Sequence, residues 1–254
     1  GVGALALVLI TGLSVFYRAQ VGKKVVTAST SVNGQELPIC SVQTGKTPIA
    51  YTFELSGTQI GKGQAEQMLQ ILQQQEIPAT FFATPSWIEN HRSLAIQICQ
   101  QGHEIQGLGE QAVCVEQMTA KACRKELQKI RETIGTVTEE PAVFFRIPGG
   151  EYNNEVLRTI YACGSYPVAW SVDSMDWKEY EASELVRQLL QSCTIRDGEI
   201  LRFHGEGENT GEMVKLLHPR LKEEGYEAVT VSQMVYKDRY RMTTDGRQIP
   251  EKSK

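Results

Sequence analysis

Between residues 49 and 231 the chain alternates short β-branched or aromatic runs with longer stretches whose apolar residues recur at helical spacing. The runs predict strands at 49–53 (IAYTF), 79–83 (ATFFA), 103–107 (HEIQG), 142–147 (AVFFRI), 166–172 (YPVAWSV), 199–204 (EILRFH) and 227–231 (EAVTV). Between them, Ala65, Met68, Leu69 and Leu72 form one helical stripe, Cys123, Leu127, Ile130 and Ile134 a second, and Val214, Leu217 and Leu221 a third. These are core positions. Strands alternating with amphipathic helices imply an α/β protein with a parallel sheet. With right-handed crossovers, seven such units predict a barrel whose chemistry gathers at the carboxyl ends of the strands.

Five of those ends are polar or glycine-rich: TFELSG (52–57), GLGEQA (107–112), RIPGG (146–150), VDSMDW (172–177) and FHGEG (203–207). Loops of that character on a rigid scaffold point to one site. The flanks read differently. The first 17 residues, GVGALALVLITGLSVFY, are uncharged and mostly apolar, and Arg18, Lys23 and Lys24 follow. A helix of that length reaches about 25 Å, the short limit for a bilayer core, so 1–17 is predicted to be a membrane segment and 18–36 a linker. A signal peptide ending near VTAS (26–29) is the alternative, and the lack of a polar face disfavours a buried core helix. The C-terminal stretch 237–254, KDRYRMTTDGRQIPEKSK, is polar and without periodicity, and reads as a tail.

At 254 residues the chain suits one large α/β domain or two small ones. A net charge of −4, with no basic run beside aromatic residues, excludes nucleic acid as a partner. The 6 cysteines would permit disulfides outside the membrane, Cys114 and Cys123 being the nearest pair in sequence. Cys99 and Cys123 fall on apolar helix faces, and no C-x-x-C spacing suggests zinc or redox chemistry.

In their order, the five strand ends resemble the motifs of the NodB-homology polysaccharide deacetylases, carbohydrate esterase family 4, over roughly residues 37–236. The segments LPICSVQTGKTPIAYTF, FRIPGGEYNN and WSVDSMDWK are similar to the branch found in spore-forming Firmicutes. The resemblance implies a distorted (β/α)7 barrel that removes acetyl groups from N-acetylated sugars such as peptidoglycan or chitin. An acetamide carbonyl is a poor electrophile and neutral water a poor nucleophile. The family therefore uses a divalent metal such as zinc, which polarises the carbonyl and lowers the pKa of bound water from 15.7 to about 7.

Its first loop reads T-F-D-D, the first Asp being the general base and the second a metal ligand; its third strand end supplies two histidines. Here Glu54 stands at the base position and Leu55 at the ligand Asp. The sporulation branch often has a non-ligand at that Asp, so the larger departure lies in GHEIQGLGEQA, which places Leu108 and Ala112 where both histidines belong. All three ligand positions are apolar, and no metal cofactor is expected. His103 matches a further family histidine and is expected to pack at the barrel wall, while His91 and His218 read as surface residues. Glu110 with Glu54 would make only a weak, oxygen-rich cation site.

The rest of the site is retained. Arg146 matches the family arginine that pairs with the base, and Gly149 replaces the tyrosine whose backbone N–H helps form the oxyanion hole. Asp176 and Trp177 match a D-W motif whose Asp tunes the catalytic histidine, with Asp173 able to share that role, and His204 matches the general acid. Arg146, Asp173 and Asp176 would equally serve as an ion-pair network beneath the loops. Among Tyr51, Trp87, Tyr152, Trp170 and Trp177, only Tyr152 and Trp177 lie inside the proposed loops and are expected to stack on a sugar ring.

Three functions are therefore in play: an active N-deacetylase, a catalytically impaired envelope protein that binds cell-wall glycan or a protein partner, and a metal-free esterase using Glu54 and His204. The apolar ligand positions favour the second, tethered at the membrane with its domain outside the cytoplasm, or secreted.

Overall fold

The computed structural model describes residues 30–57, 64–110, 118–139, 141–205 and 207–251. The predicted membrane segment and the linker up to residue 29 lie outside them, as do Ala112 and Cys114. No described helix is long and apolar enough to cross a membrane.

The described chain opens on a two-residue hairpin, β1 (Ser31–Val32) and β2 (Gln35–Glu36). Its turn is Asn33-Gly34 with both residues at positive φ (53° and 79°), the geometry that an Asn-Gly pair adopts most readily. Part of the expected linker is thus folded. Glu36 is buried and paired with Arg158 at 3.1 Å.

After β3 (Ser41–Val42) comes the sheet that carries the site: β4 (Pro48–Leu55), β5 (Thr80–Ala83), β6 (Glu104–Leu108), β7 (Phe144–Arg146), β8 (Tyr166–Pro167), β9 (Val172–Asp173), β10 (Ile200–His204) and β11 (Glu227–Val229). All pair in parallel, in the order β8-β7-β6-β5-β4-β10-β9, with β11 against the start of β4. The α/β alternation holds, as a curved half-barrel. The expected closed seven-stranded ring is not formed by strand pairing among the described residues. The predicted strand 166–172 is broken into β8 and β9, because its middle turns its carbonyls toward an arginine instead of a neighbouring strand.

The helices are α1 (Gln64–Gln74), α2 (Pro85–Asn90), α3 (Arg92–Gln100), α4 (Ala120–Ile134), α5 (Asn154–Ala162), α6 (Ala182–Ser192), α7 (Thr210–Glu223) and α8 (Val231–Met234). All three predicted stripes are buried on α1, α4 and α7. Caps explain several starts: the Thr84 hydroxyl accepts from Trp87 N at 3.1 Å, and Asn153 Oδ1 from Val156 N at 2.8 Å.

Strand parity sorts side chains into two layers. Ile49, Tyr51, Phe53 and Leu55 of β4 join the layer beneath the helices, with Leu201 and Phe203 of β10. Ala50 faces inward with Phe82, Leu108, Phe144 and Ile200. Gly107 faces the helices, where a Cβ would lie 2.6 Å from Ile130 Cγ2; this close approach requires glycine.

Two expectations are corrected. The stretch from 237 is not a tail: β12 (Tyr240–Met242) and β13 (Arg247–Pro250) pair antiparallel, and β13 pairs parallel with β3. Tyr240, Met242 and Gln248 are buried there, in strands too short for a period to register. His218 is not a surface residue either. It lies on the inner face of α7, with Nδ1 3.2 Å from the Tyr51 hydroxyl, because it follows Leu217 on the stripe.

His103 packs as expected, edge-on to Phe81, with neither ring nitrogen hydrogen-bonded among the described residues. Burial lowers its pKa to about 4 from 6.5. Because the folded pKa is the lower one, the unfolded chain takes up the proton first as pH falls. The stability that depends on neutral His103 is intact above pH 6.5 and is lost progressively as pH falls from 6.5 through 4, by about 3 kcal/mol. His103→Phe is expected to flatten this part of the stability profile, read as urea midpoints of parent and variant across that pH range.

Candidate functional site at the barrel mouth

Inward parity at the carboxyl ends of β4, β7 and β10 brings Glu54, Arg146, Arg202 and His204 together. Register sets the pairing, since His204 lies opposite Glu54 and Arg202 opposite Thr52. Arg146 is fully buried, and burial lowers its pKa to about 10 against the raising effect of Glu54. It is nonetheless well bonded. Its guanidinium donates to Thr52 Oγ1 (2.9 Å) and to the carbonyls of Val168 (3.3 Å) and Ala169 (2.9 Å), lies 3.5 Å from Glu54 Oε1, and sits 4.0 Å over the Phe82 ring.

Sequence reasoning missed Arg202. Its Nε and Nη2 donate to the two oxygens of Glu54, each at 2.9 Å, while Nη1 reaches Asp173 Oδ2 at 3.2 Å. The guanidinium stacks 4.1 Å from the Trp170 ring centroid. Two cations and two carboxylates thus form one neutral network roofed by Trp170. The available signal was a charged residue inside a strand run, at the same parity as His204.

Asp176 and His204 form a second cluster. His204 Nδ1 lies 2.8 Å from Asp176 Oδ1, and the His204 backbone N donates to Oδ2 at 2.9 Å. The Ser174 and Thr210 hydroxyls also bond this buried carboxylate. An ionised Asp176 requires the proton on Nδ1, leaving Nε2 as the nitrogen free to exchange a proton. The described contacts of Asp173 lie elsewhere. It pairs with Arg202 and accepts from Met175 N at 2.9 Å.

Gly149 lies in a 3-10 turn, Pro148–Gly150, at φ 72°, a left-handed conformation that disfavours a side chain such as tyrosine. Tyr152 and Trp177 are exposed, at 38% and 60%, as stacking surfaces need to be. Tyr51 and Trp87 are buried packing residues, and Trp170 covers the arginines. His91 caps α2, its Nδ1 3.0 Å from Trp87 O. Glu110 is engaged by the N-terminal turn of α2, accepting from Ser86 N (2.7 Å) and Ser86 Oγ (2.6 Å).

The described residues at the mouth do not fit a divalent metal. Leu55 packs in the helix-side layer and Leu108 inside the barrel, at 0% and 2% exposure, so both described ligand positions are surrounded by hydrocarbon. Glu54, the nearest carboxylate to Leu55 in sequence, is already held by two guanidiniums. Among the described residues no group of three or more His, Cys, Asp or Glu is placed to hold an ion.

The polysaccharide deacetylase family profile matches residues 41–168, and the chain belongs to that family. It is 27% identical over 201 residues to the uncharacterized protein YlxY of Bacillus subtilis, covering 79% of this chain and 61% of YlxY. It is 27% identical over 218 residues to the peptidoglycan-N-acetylglucosamine deacetylase PgdA of Listeria monocytogenes, covering 83% of this chain and 45% of PgdA. The chain thus spans less than two thirds of either relative. Among solved structures it is similar to a wild-type CE4-family pseudoenzyme from Bacillus anthracis, with a TM-score of 0.71 at 23% identity over 79% of this chain and 69% of that one. A mutant of that pseudoenzyme with restored enzymatic activity gives a TM-score of 0.72, also at 23% identity, covering 79% of this chain and 72% of that one. At such identity the likeness establishes the fold.

Proposed function

We propose that this protein is a catalytically impaired, metal-free member of the polysaccharide deacetylase family that binds cell-wall glycan, or a protein partner, in the cell envelope. The observation that carries this reading is the hydrocarbon packing of Leu55 and Leu108, on opposite faces of the sheet. Without a Lewis acid, amide hydrolysis forfeits several kcal/mol of transition-state stabilisation. Similarity to a fold that occurs as a pseudoenzyme supports it, and relatives that act on peptidoglycan favour a glycan ligand. Attachment through residues 1–17, with the domain outside the cytoplasm, is part of the same proposal.

Zinc content and turnover of N-acetylglucosamine oligomers test it. The expected result is negligible zinc and turnover in the parent, and measurable zinc binding after Leu108→His with Ala112→His. Stoichiometric zinc in the parent would sink the reading. Glycan binding is tested by sedimentation with peptidoglycan, where Trp177→Ala is expected to weaken retention by about tenfold, the loss of one ring-stacking contact of about 1–1.5 kcal/mol.

The ordered Asp176–His204 pair favours one second reading, a residual hydrolase, since a carboxylate on Nδ1 fixes the ring so that Nε2 can exchange a proton with a leaving group when the imidazole is protonated there. Release of acetate from acetylated oligomers by the parent, lost in His204→Ala, would favour it.

A further inference from the structure

We infer that Arg202 is a positioning residue that locks Glu54 shut, a second block on catalysis independent of the lost metal ligands. This rests on the proposed function and deepens it. A general base needs a lone pair open to a water molecule. Glu54 instead is buried and gives up three of its roughly four acceptor sites to guanidiniums: a fork from Arg202 spans both oxygens at 2.9 Å, and Oε1 also lies 3.5 Å from Arg146. Paired N–H···O bonds between ions are the strong, directional kind. The lock is itself held in place: Trp170 stacks on it at 4.1 Å, and Asp173 takes its remaining nitrogen at 3.2 Å.

Arg202 can be removed without stranding a charge. Glu54 would keep Arg146, and Asp173, whose side chain is 26% exposed, would keep contact with water. Arg202→Leu, an apolar side chain that Trp170 can still cover on the inner face of β10, is therefore expected to fold and to leave an accessible Glu54.

Two measurements test this. In the first, carboxyl groups of the full chain are modified with a water-soluble carbodiimide and glycine amide, and the label at Glu54 is followed by mass spectrometry. Glu54 is expected to label at least about tenfold faster in Arg202→Leu than in the parent, the size of one charge-assisted bond of about 1.5 kcal/mol. Arg202→Lys, which keeps the charge and loses the fork, is expected to fall between them. Equal labelling in parent and Arg202→Leu overturns the lock, whatever the metal results show.

In the second, Leu108→His with Ala112→His is compared with and without Arg202→Leu, for zinc binding and for turnover of N-acetylglucosamine oligomers. The expected result is zinc in both backgrounds and turnover only where Arg202 is removed. Equal turnover in both refutes the lock while the reading of lost ligands stands. Zinc and turnover in the unmodified parent refute that reading and the lock together. Should the ligand-restored chains fail to fold, the labelling result alone decides.

Discussion

Glu54→Ala is expected to destabilise the fold by about 3–5 kcal/mol, the usual consequence of removing one partner of a buried ion pair. Arg146 has no exposure, and its remaining acceptors, Thr52 Oγ1 and the Val168 and Ala169 carbonyls, are neutral. They satisfy its hydrogens without compensating its charge. Arg202 is less affected, since Asp173 remains. Urea denaturation reads the loss as a lower midpoint at unchanged slope. The paired change Glu54→Leu with Arg146→Met removes both charges, and is expected to recover much of what Glu54→Ala loses, because apolar replacements of a buried pair are often neutral. A double variant as unstable as the single one would show that the hydrogen bonds Arg146 gives to Thr52 and to the Val168 and Ala169 carbonyls, and not its charge pairing, hold this part of the barrel.

The second large effect lies at the other end of the chain. Ending the protein after Tyr236 is expected to leave it insoluble, or to lower its stability by several kcal/mol. Tyr240 and Met242 fill the inner layer, each worth about 1.5–3 kcal/mol of burial. Gln248, fully buried, exchanges hydrogen bonds with the Tyr236 backbone at 2.9 and 2.8 Å, and Arg247 pairs with Asp197 at 2.7 Å. A domain whose total stability is about 5–15 kcal/mol does not absorb such losses easily. The readouts are soluble yield and thermal midpoint, and a truncated chain that melts with the full one would return 237–254 to the status of a tail.

What the sequence determined by itself is everything with a period or a motif. The strand runs and the stripes on α1, α4 and α7 were legible because burial on one face imposes repeats of 2 and 3.6 residues. The five strand ends named the family, and its motif spacing assigned Glu54, Arg146, Asp176 and His204 to one mouth. Tertiary structure decided what depends on register and on chain ends. Two-residue strands carry no period, so the hairpin at 31–36, the break between β8 and β9, and the β12–β13 closure were invisible. Arg202 reads in sequence as one charge in a strand; only pairing opposite Thr52, one inward position from Glu54, makes it a clamp. Likewise Asp173 and Asp176, three residues apart, part company because one strand end aims the first at Arg202, while the turn after it buries the second against His204.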